Sequence, residues 1–121
     1  MTKKVMIVDD EPDVRTSVGQ ILKINGYTII EGENGADCLE KLQSHTPDLL
    51  ILDIMMPGMS GWDVAAKMKE NKKWRDIPIV FLTAKGDDMS IGMGSIAAKD
   101  YIVKPFDLMD FKHRIEKILK K

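Results

Sequence analysis

The sequence predicts an α/β fold: a doubly wound parallel sheet of five strands with five helices on its two faces. Short, continuously apolar runs recur along the chain, and stretches with helical periodicity separate them. Continuous rather than alternating hydrophobicity is typical of strands that are buried on both faces, as in a parallel sheet. A regular alternation of such strands with helices is typical of doubly wound sheets.

Five apolar runs are the candidate strands. Three of them are strong and two, the second and the fifth in chain order, are weaker. They are residues 5–8, 27–30, 49–52, 79–82 and 101–103. Each run is short enough for a buried strand and too short for a buried helix, so a strand is the better prediction for all five.

The first three helices are predicted from residues that favour helix starts. Proline is tolerated in the first helical turn, and Asn or Ser side chains cap free backbone N–H groups. Gly26 is expected to end the first helix. The start signals are Pro12 with Asp10 or Glu11 as cap, Asn34, and Ser60 or Gly61.

The last two helices differ in strength. The fourth, which starts at Gly86-Asp87-Asp88, contains Gly92 and Gly94, each of which costs about 1 kcal/mol relative to alanine. The fifth has the clearest apolar stripe of the chain, with lysine and arginine near its end, where they suit the helix dipole. Its stripe consists of Leu108, Phe111, Ile115, Ile118 and Leu119.

Size and composition indicate one domain over residues 1–121. The chain has 121 residues, a formal net charge of -1 and one cysteine, Cys38. The balanced charge gives no reason to expect nucleic acid or an anionic membrane as a partner. A lone cysteine cannot form an internal disulfide, and no apolar run approaches the ~20 residues of a membrane span. A cytoplasmic location is the simplest expectation.

Polar residues follow four of the five candidate strands. Asp9, Asp10 and Glu11 follow the first, Asp53 the third, Thr83 the fourth and Lys104 the fifth. The second strand ends without an obvious reactive group, which suggests an edge position. In open parallel sheets the carboxyl ends of the strands form the ligand-binding edge, so these side chains are expected to meet there.

Carboxylates that meet in one crevice repel one another and titrate together. A hard divalent cation relieves that repulsion, and ligands that are all oxygen favour magnesium over zinc. Lys104 and Thr83 are then placed to hold phosphoryl oxygens, and Asp53 to act as a nucleophile that forms an aspartyl-phosphate.

Four motifs give the chain a family resemblance. Each is weak alone, but all four stand in order at the ends of four predicted strands. The chain resembles the receiver domain of two-component response regulators, of the chemotaxis-type single-domain receiver family, from residue 4 to residue 119. The resemblance implies a flavodoxin-like strand order of 2-1-3-4-5. The motifs are Val8-Asp9-Asp10-Glu11, residues 53–61 (DIMMPGMSG), Leu82-Thr83-Ala84 and residues 100–106 (DYIVKPF).

The resemblance also implies roles for the acidic residues. Asp53 matches the phosphorylated aspartate of the family. Asp10 matches the direct magnesium ligand, Asp9 the ligand that usually acts through water, and the backbone carbonyl of Met55 the third protein ligand. Such a domain is a regulatory phosphoacceptor rather than an enzyme, limited to its own phosphorylation and slow dephosphorylation.

Three further positions match residues that respond to phosphorylation. Thr83 matches the switch hydroxyl, Tyr101 the aromatic that moves inward with it, and Lys104 the phosphate-binding lysine. The bond between Lys104 and Pro105 is commonly cis in this family. Tyr101 is also a strand residue that packs in a core, and the two roles do not exclude each other.

The resemblance further implies two kinds of partner. A histidine kinase or a phosphotransfer protein supplies the phosphoryl group. A downstream protein of unknown identity binds the surface formed by the fourth helix, fifth strand and fifth helix. Asp100 and Arg114 occupy positions that pair across the dimer in one transcription-factor branch, so a monomer or a weak homodimer is expected.

Two other functions remain as alternatives. One is a receiver-like interaction module that works without phosphorylation. The other is a magnesium-dependent phosphohydrolase with an aspartyl intermediate, but the dehalogenase-type hydrolases need an acid two residues after the nucleophile. Met55 stands at that position here.

Overall fold

The computed structural model describes residues 2–84 and 98–120, and its sheet has five parallel strands. Neighbouring strands follow the order β2-β1-β3-β4-β5. The predicted strands and the predicted order 2-1-3-4-5 are therefore confirmed. In chain order, β1 to β5 are Lys4–Val8, Thr28–Gly32, Leu49–Asp53, Ile79–Ala84 and Asp100–Lys104.

Four helices lie within the described ranges. The first three agree with the first three predicted helices, and α4 is the predicted fifth helix. The predicted fourth helix, which starts at Gly86-Asp87-Asp88, lies outside the described residues. The count of five helices therefore stays a prediction. The four helices are α1 (Pro12–Ile24), α2 (Gly35–Leu42), α3 (Gly61–Lys69) and α4 (Leu108–Leu119). In residues 2–84 and 98–120 no helix has the length and apolar character to cross a bilayer.

Helix caps follow the prediction at α2 and α3 but not fully at α1. Asn34 accepts a hydrogen bond from the backbone N–H of Asp37 at 2.8 Å, and Ser60 forms a reciprocal capping box with Asp63. Glu11 is the cap residue of α1, yet its side chain makes no capping hydrogen bond. The reason is that its carboxylate reaches Lys104 at 3.1 Å instead.

Each face of the sheet is covered by its own apolar cluster. One cluster packs β1, β3 and β4 against α2 and α3 and includes Cys38 and Phe81, both fully buried. The other packs the opposite face against α1 and α4 and includes Phe111. Of the predicted stripe on α4, Leu108 is the exception at 36% exposure. At the first position of the helix it lines an open cavity beside Lys104 rather than the core.

Gly61 brings the start of α3 close to the end of β3. Its backbone N–H donates to the carbonyl of Ile54 at 2.8 Å. A Cβ atom at Gly61 would lie 2.8 Å from the Cα of Ile54, closer than real Cβ atoms come to backbone. Only glycine fits this approach without a shift of the backbone. The loop that follows Asp53 therefore ends in close contact with the backbone at the end of β3.

Candidate functional site

The polar residues that follow β1 and β3 lie at the same edge of the sheet. These two strands are neighbours, and Val8 pairs with Leu52, the residues just before Asp9 and Asp53. The carboxylates of Asp9, Asp10 and Asp53 each place one oxygen within 4.8 Å of the others. The structure therefore brings together the three carboxylates that the sequence places at these strand ends.

Burial differs among the three carboxylates. Asp9 is 0% exposed and Asp53 is 3% exposed, whereas Asp10 is exposed to solvent. Burial and the charge of Asp9 raise the pKa of Asp53 to about 7, and Asp10 adds to this through a hydrogen bond and its charge. The charge of Lys104 opposes the shift. A carboxyl group that titrates near neutral pH is characteristic of a functional site.

Lys104 supplies the positive charge of this edge. Its Nζ lies 2.8 Å from Asp9 Oδ2, 3.1 Å from Glu11 Oε1 and 3.5 Å from Asp53 Oδ2. Burial acts to lower the pKa of Lys104, but the hydrogen bonds and charges of these carboxylates outweigh it and the pKa is raised. The lysine therefore stays protonated. One cation faces several carboxylates here, so the cluster keeps excess negative charge.

The contact between Glu11 and Lys104 was not predicted from the sequence. Glu11 was expected only in the acidic run and at the start of α1. The two residues are 93 positions apart, and their contact depends on the pairing of β5 with the rest of the sheet. The acidic run itself was the available signal, because any carboxylate beside Asp10 is close to a cation that lies among these side chains.

Two backbone N–H groups hold the buried carboxylates in place. Asp9 Oδ1 accepts a hydrogen bond from Glu11 N at 2.9 Å, and Asp53 Oδ1 accepts one from Met55 N at 3.3 Å. Asp9 Oδ2 is fully buried and, among the described residues, receives no aligned hydrogen bond. Its neighbour is the Lys104 ammonium at ion-pair distance.

This donor set fits a hard divalent cation. All side-chain atoms in the cluster are carboxylate oxygens, and such ligands suit magnesium better than zinc. Asp9 Oδ2 receives no aligned hydrogen bond among the described residues, and the charge of Asp9 adds to burial in raising the pKa of Asp53. A cation bound here would relieve the repulsion between the two carboxylates. Met55 is 63% exposed, whereas its neighbours Ile54 and Met56 are buried at 2% and 8%.

Thr83 lies buried near the end of β4, the strand between β3 and β5. Thr83 is 2% exposed, and its hydroxyl donates a hydrogen bond to the backbone carbonyl of Ala84 at 3.1 Å. The single proton of the hydroxyl is thus used in a hydrogen bond within its own strand. A rotation of the Thr83 side chain would redirect that proton.

Tyr101 belongs to an aromatic cluster on the α2 and α3 side of the sheet. Its ring stacks on Phe81 with a centroid distance of 5.5 Å, and Trp62 lies 4.6 Å from Phe81 and 6.3 Å from Tyr101. Tyr101 is partly buried against this core. The core role is therefore seen, and the switch role stays a prediction. The peptide bond between Lys104 and Pro105 is cis, as the family resemblance implied.

Comparison with known proteins gives many relatives. A sequence model of the response regulator receiver domain matches residues 5–116. The chain is 37% identical over 120 residues to the phosphate regulon transcriptional regulatory protein PhoB of Pseudomonas aeruginosa. This alignment covers 98% of the chain and 52% of PhoB. It is 34% identical over 122 residues to the alkaline phosphatase synthesis transcriptional regulatory protein PhoP of Bacillus subtilis. That alignment covers 100% of the chain and 50% of PhoP. The chain thus spans about half the length of the curated relatives it matches.

Solved structures show the same fold. A CheY-like response regulator receiver domain protein from Methanospirillum hungatei is 43% identical, with a TM-score of 0.80 over 95% of this chain and 90% of that one. The response regulator TrrA of Thermotoga maritima, solved in complex with Mg(2+)-BeF, is 41% identical, with a TM-score of 0.84 over 98% and 100%. With its strand order, its acidic edge and these matches, the chain belongs to the response regulator receiver domain family of two-component signalling.

Proposed function

We propose that residues 1–121 form a single receiver domain that accepts a phosphoryl group on Asp53 in a magnesium-dependent step. The donor is a histidine kinase or a phosphotransfer protein. The observation that carries this proposal is the convergence of Asp9, Asp10 and Asp53 with the Lys104 ammonium at one edge of the sheet. A cytoplasmic location stays a prediction from the sequence.

The proposed reaction is transfer of a phosphoryl group from a phosphorylated histidine. An Asp53 carboxylate oxygen forms the new bond to phosphorus, and the phosphorus–nitrogen bond of the donor breaks. Its electron pair stays on the imidazole nitrogen. Lys104 lies 3.5 Å from Asp53 Oδ2 and is placed to contact the incoming phosphoryl oxygens. Such transfers depend mainly on positioning and charge neutralisation, which a protonated lysine supplies.

Asp9, Asp10, Asp53 and the backbone carbonyl of Met55 would hold magnesium. The bound ion would supply positive charge that offsets the carboxylates and the phosphoryl oxygens. Support comes from the oxygen-only ligand set and from Asp9 Oδ2, which lacks an aligned donor in the described residues. The complex of the Thermotoga maritima relative with Mg(2+)-BeF is in keeping with this chemistry.

Phosphorylation is proposed to change partner binding through Thr83 and Tyr101. The Thr83 hydroxyl would turn from the Ala84 carbonyl toward the phosphoryl group, and the Tyr101 ring would adjust with it. The readout surface would comprise the predicted fourth helix together with β5 and α4, and its partner is a downstream protein. Arg114 pairs with Asp100 at 3.3 Å within this chain, in keeping with a monomer or a weak homodimer.

Receiver domains are regulatory rather than classical enzymes, and the site agrees with that description. A dehalogenase-type phosphohydrolase needs an acid where this chain has Met55, an exposed apolar residue. No observation in the described residues favours a module that has lost phosphorylation, since its acidic cluster and lysine are all in place.

Intact-protein mass spectrometry after incubation with acetyl phosphate tests the proposal. Wild type should gain one phosphoryl group with magnesium present, and none when a chelator removes it. Asp53→Asn should gain none. Asp48→Asn is the matched control, because Asp48 directly precedes the same strand at its opposite end and lies exposed. If Asp53→Asn is phosphorylated as well as wild type, Asp53 is not the acceptor.

A further inference from the structure

The side chain of Arg15 joins the turn after β1 to the end of β2. Its Nη1 donates to the backbone carbonyl of Asp9 at 2.5 Å, and its Nε donates to Glu31 Oε1 at 3.2 Å. The Arg15 side chain is only 13% exposed. Arginine suits such a bridge, because its planar guanidinium presents several donors in fixed directions.

The contact with Asp9 fixes a peptide group at the centre of the acidic cluster. The carbonyl of Asp9 belongs to the same peptide plane as the backbone N–H of Asp10. On the other side, Asp9 N donates to the carbonyl of Gly32 at 3.2 Å. With both of its neighbouring peptides held, Asp9 has a set orientation, and the direction in which Asp10 leaves the turn is set as well.

Arg15 also lies beside the exposed member of the cluster. Arg15 and Asp10 line one cavity of about 660 Å³, whose other walls come from the loops before α2 and α3. Asp10 is exposed at this cavity, and one of its carboxylate oxygens lies within 4.8 Å of oxygens of Asp9 and Asp53. The backbone turn that carries Asp10 is the one whose Asp9 carbonyl accepts the hydrogen bond from Arg15.

The ion pair with Glu31 compensates the positive charge of Arg15. A lone guanidinium this close to the cluster would repel a divalent cation. The Glu31 carboxylate at 3.2 Å compensates the charge of Arg15, so the arginine contributes hydrogen bonds without adding net positive charge. Groups that orient metal ligands in this way typically change metal affinity 10- to 100-fold when removed.

We propose that Arg15 is a positioning residue for the metal site, acting through the Asp9 carbonyl and charge-balanced by Glu31. This inference rests on the proposed function, because it assumes that the acidic cluster binds magnesium. It predicts that removal of the guanidinium weakens magnesium binding by more than a general loss of stability explains.

Titration calorimetry of magnesium chloride into the full chain tests the role of Arg15. Arg15→Gln should raise the magnesium Kd about tenfold. Arg15→Lys should give an intermediate rise in the Kd, since one ammonium group cannot reproduce both contacts of the guanidinium, to the Asp9 carbonyl and to Glu31. Arg114→Gln is the matched control. It also removes an arginine that binds two acidic partners, Asp100 and Asp110, but lies on α4 and should leave the Kd unchanged.

Glu31→Gln tests the charge balance separately. It retains the contact of Arg15 with the Asp9 carbonyl but leaves the guanidinium charge uncompensated. The magnesium Kd should rise about two- to threefold at low salt, and the rise should shrink at high salt because charge effects are screened. Urea unfolding of every variant measures stability in parallel.

The outcomes separate the two proposals. A magnesium Kd for folded Arg15→Gln within twofold of wild type overturns the positioning role while leaving the proposed function intact. If Arg15→Gln does not fold, Arg15→Lys is judged by the same twofold limit. Absence of magnesium binding by wild type overturns the proposed function, and the role of Arg15 fails with it.

Discussion

Two clusters in this molecule each surround one cation with acidic side chains, yet they have very different surroundings. In the first, Lys104 and its partner Asp9 are 17% and 0% exposed. In the second, Arg114 and its partner Asp110 are 41% and 56% exposed. The buried cluster joins Lys104 to Asp9, Glu11 and Asp53, and the exposed cluster joins Arg114 to Asp100 and Asp110.

The comparison shows how burial changes the effect of similar groups. In the exposed cluster solvent screens the charges, and each pair contributes about 0–1 kcal/mol. In the buried cluster, burial and then the charge of Asp9 raise the pKa of Asp53 to about 7, although the charge of Lys104 opposes the shift. An excess of buried negative charge destabilises the fold, and the proposed binding of a divalent cation would offset that charge.

Lys104→Met should have the largest effect on stability. The change leaves Asp9 and Asp53 buried without their cation, and removal of one partner from a buried pair is strongly destabilising. Without divalent metal at neutral pH we expect a loss of about 3–5 kcal/mol in the free energy of unfolding, measured by urea denaturation. Arg114→Met, the exposed counterpart, should lose about 0–1 kcal/mol. Equal losses in the two variants would show that burial does not distinguish the clusters.

Asp53→Asn should stabilise the metal-free protein at pH 8. The pKa of Asp53 is raised from 3.8 to about 7 in the fold, so ionisation of Asp53 is less favourable there than in the unfolded chain. The native state holds this proton more tightly, and stability falls as pH rises from about 4 to 7. Asparagine removes that loss, with an expected gain of at most about 4 kcal/mol at pH 8, from about 1.4 kcal/mol per pKa unit, and none below pH 4.

Asp100→Asn provides the matched control for this pH dependence. Asp100 pairs with Arg114 at the partly exposed cluster, so its replacement should bring a small loss of stability and no gain at pH 8. Urea unfolding at pH 4, 6 and 8 gives the comparison. A gain for Asp53→Asn that is as large at pH 4 as at pH 8 would contradict the assigned cause.

Glu11→Gln should have the smallest effect. Glu11 belongs to the buried cluster by contact, but its side chain is 59% exposed, so solvent screens its pairing with Lys104. We expect a loss of at most about 0.5 kcal/mol in the free energy of unfolding at low salt, and none at high salt. A loss as large as that of Lys104→Met would place Glu11 among the buried, unscreened partners of the lysine.

The sequence was sufficient to predict the sheet and the meeting of its polar residues. Continuous apolar runs identify buried parallel strands, and in such a sheet the residue that follows each run has a defined position. Asp9, Asp53 and Lys104 could therefore be placed at one edge without coordinates. Asn34 and Ser60 were predictable as caps, because the preference depends on local chemistry alone.

Contacts made by long side chains could not be predicted in the same way. The partners of Glu11 and Arg15 depend on rotamers and on which strands are neighbours, and neither has a local sequence signature. The behaviour of Leu108 has a similar origin. Its spacing fits the apolar stripe of α4. As the first residue of the helix, however, it lies beyond the edge of the core and lines a surface cavity instead.

The position of Cys38 makes it a natural probe of transient opening. It is the one cysteine of the sequence and is fully buried beside Met6. Burial, with a contribution from the charge of Asp37, raises the pKa of its thiol to about 12. A protonated and inaccessible thiol does not react with alkylating reagents. Labelling of the native protein therefore requires α2 to separate from the sheet, and the labelling rate measures how often that separation occurs.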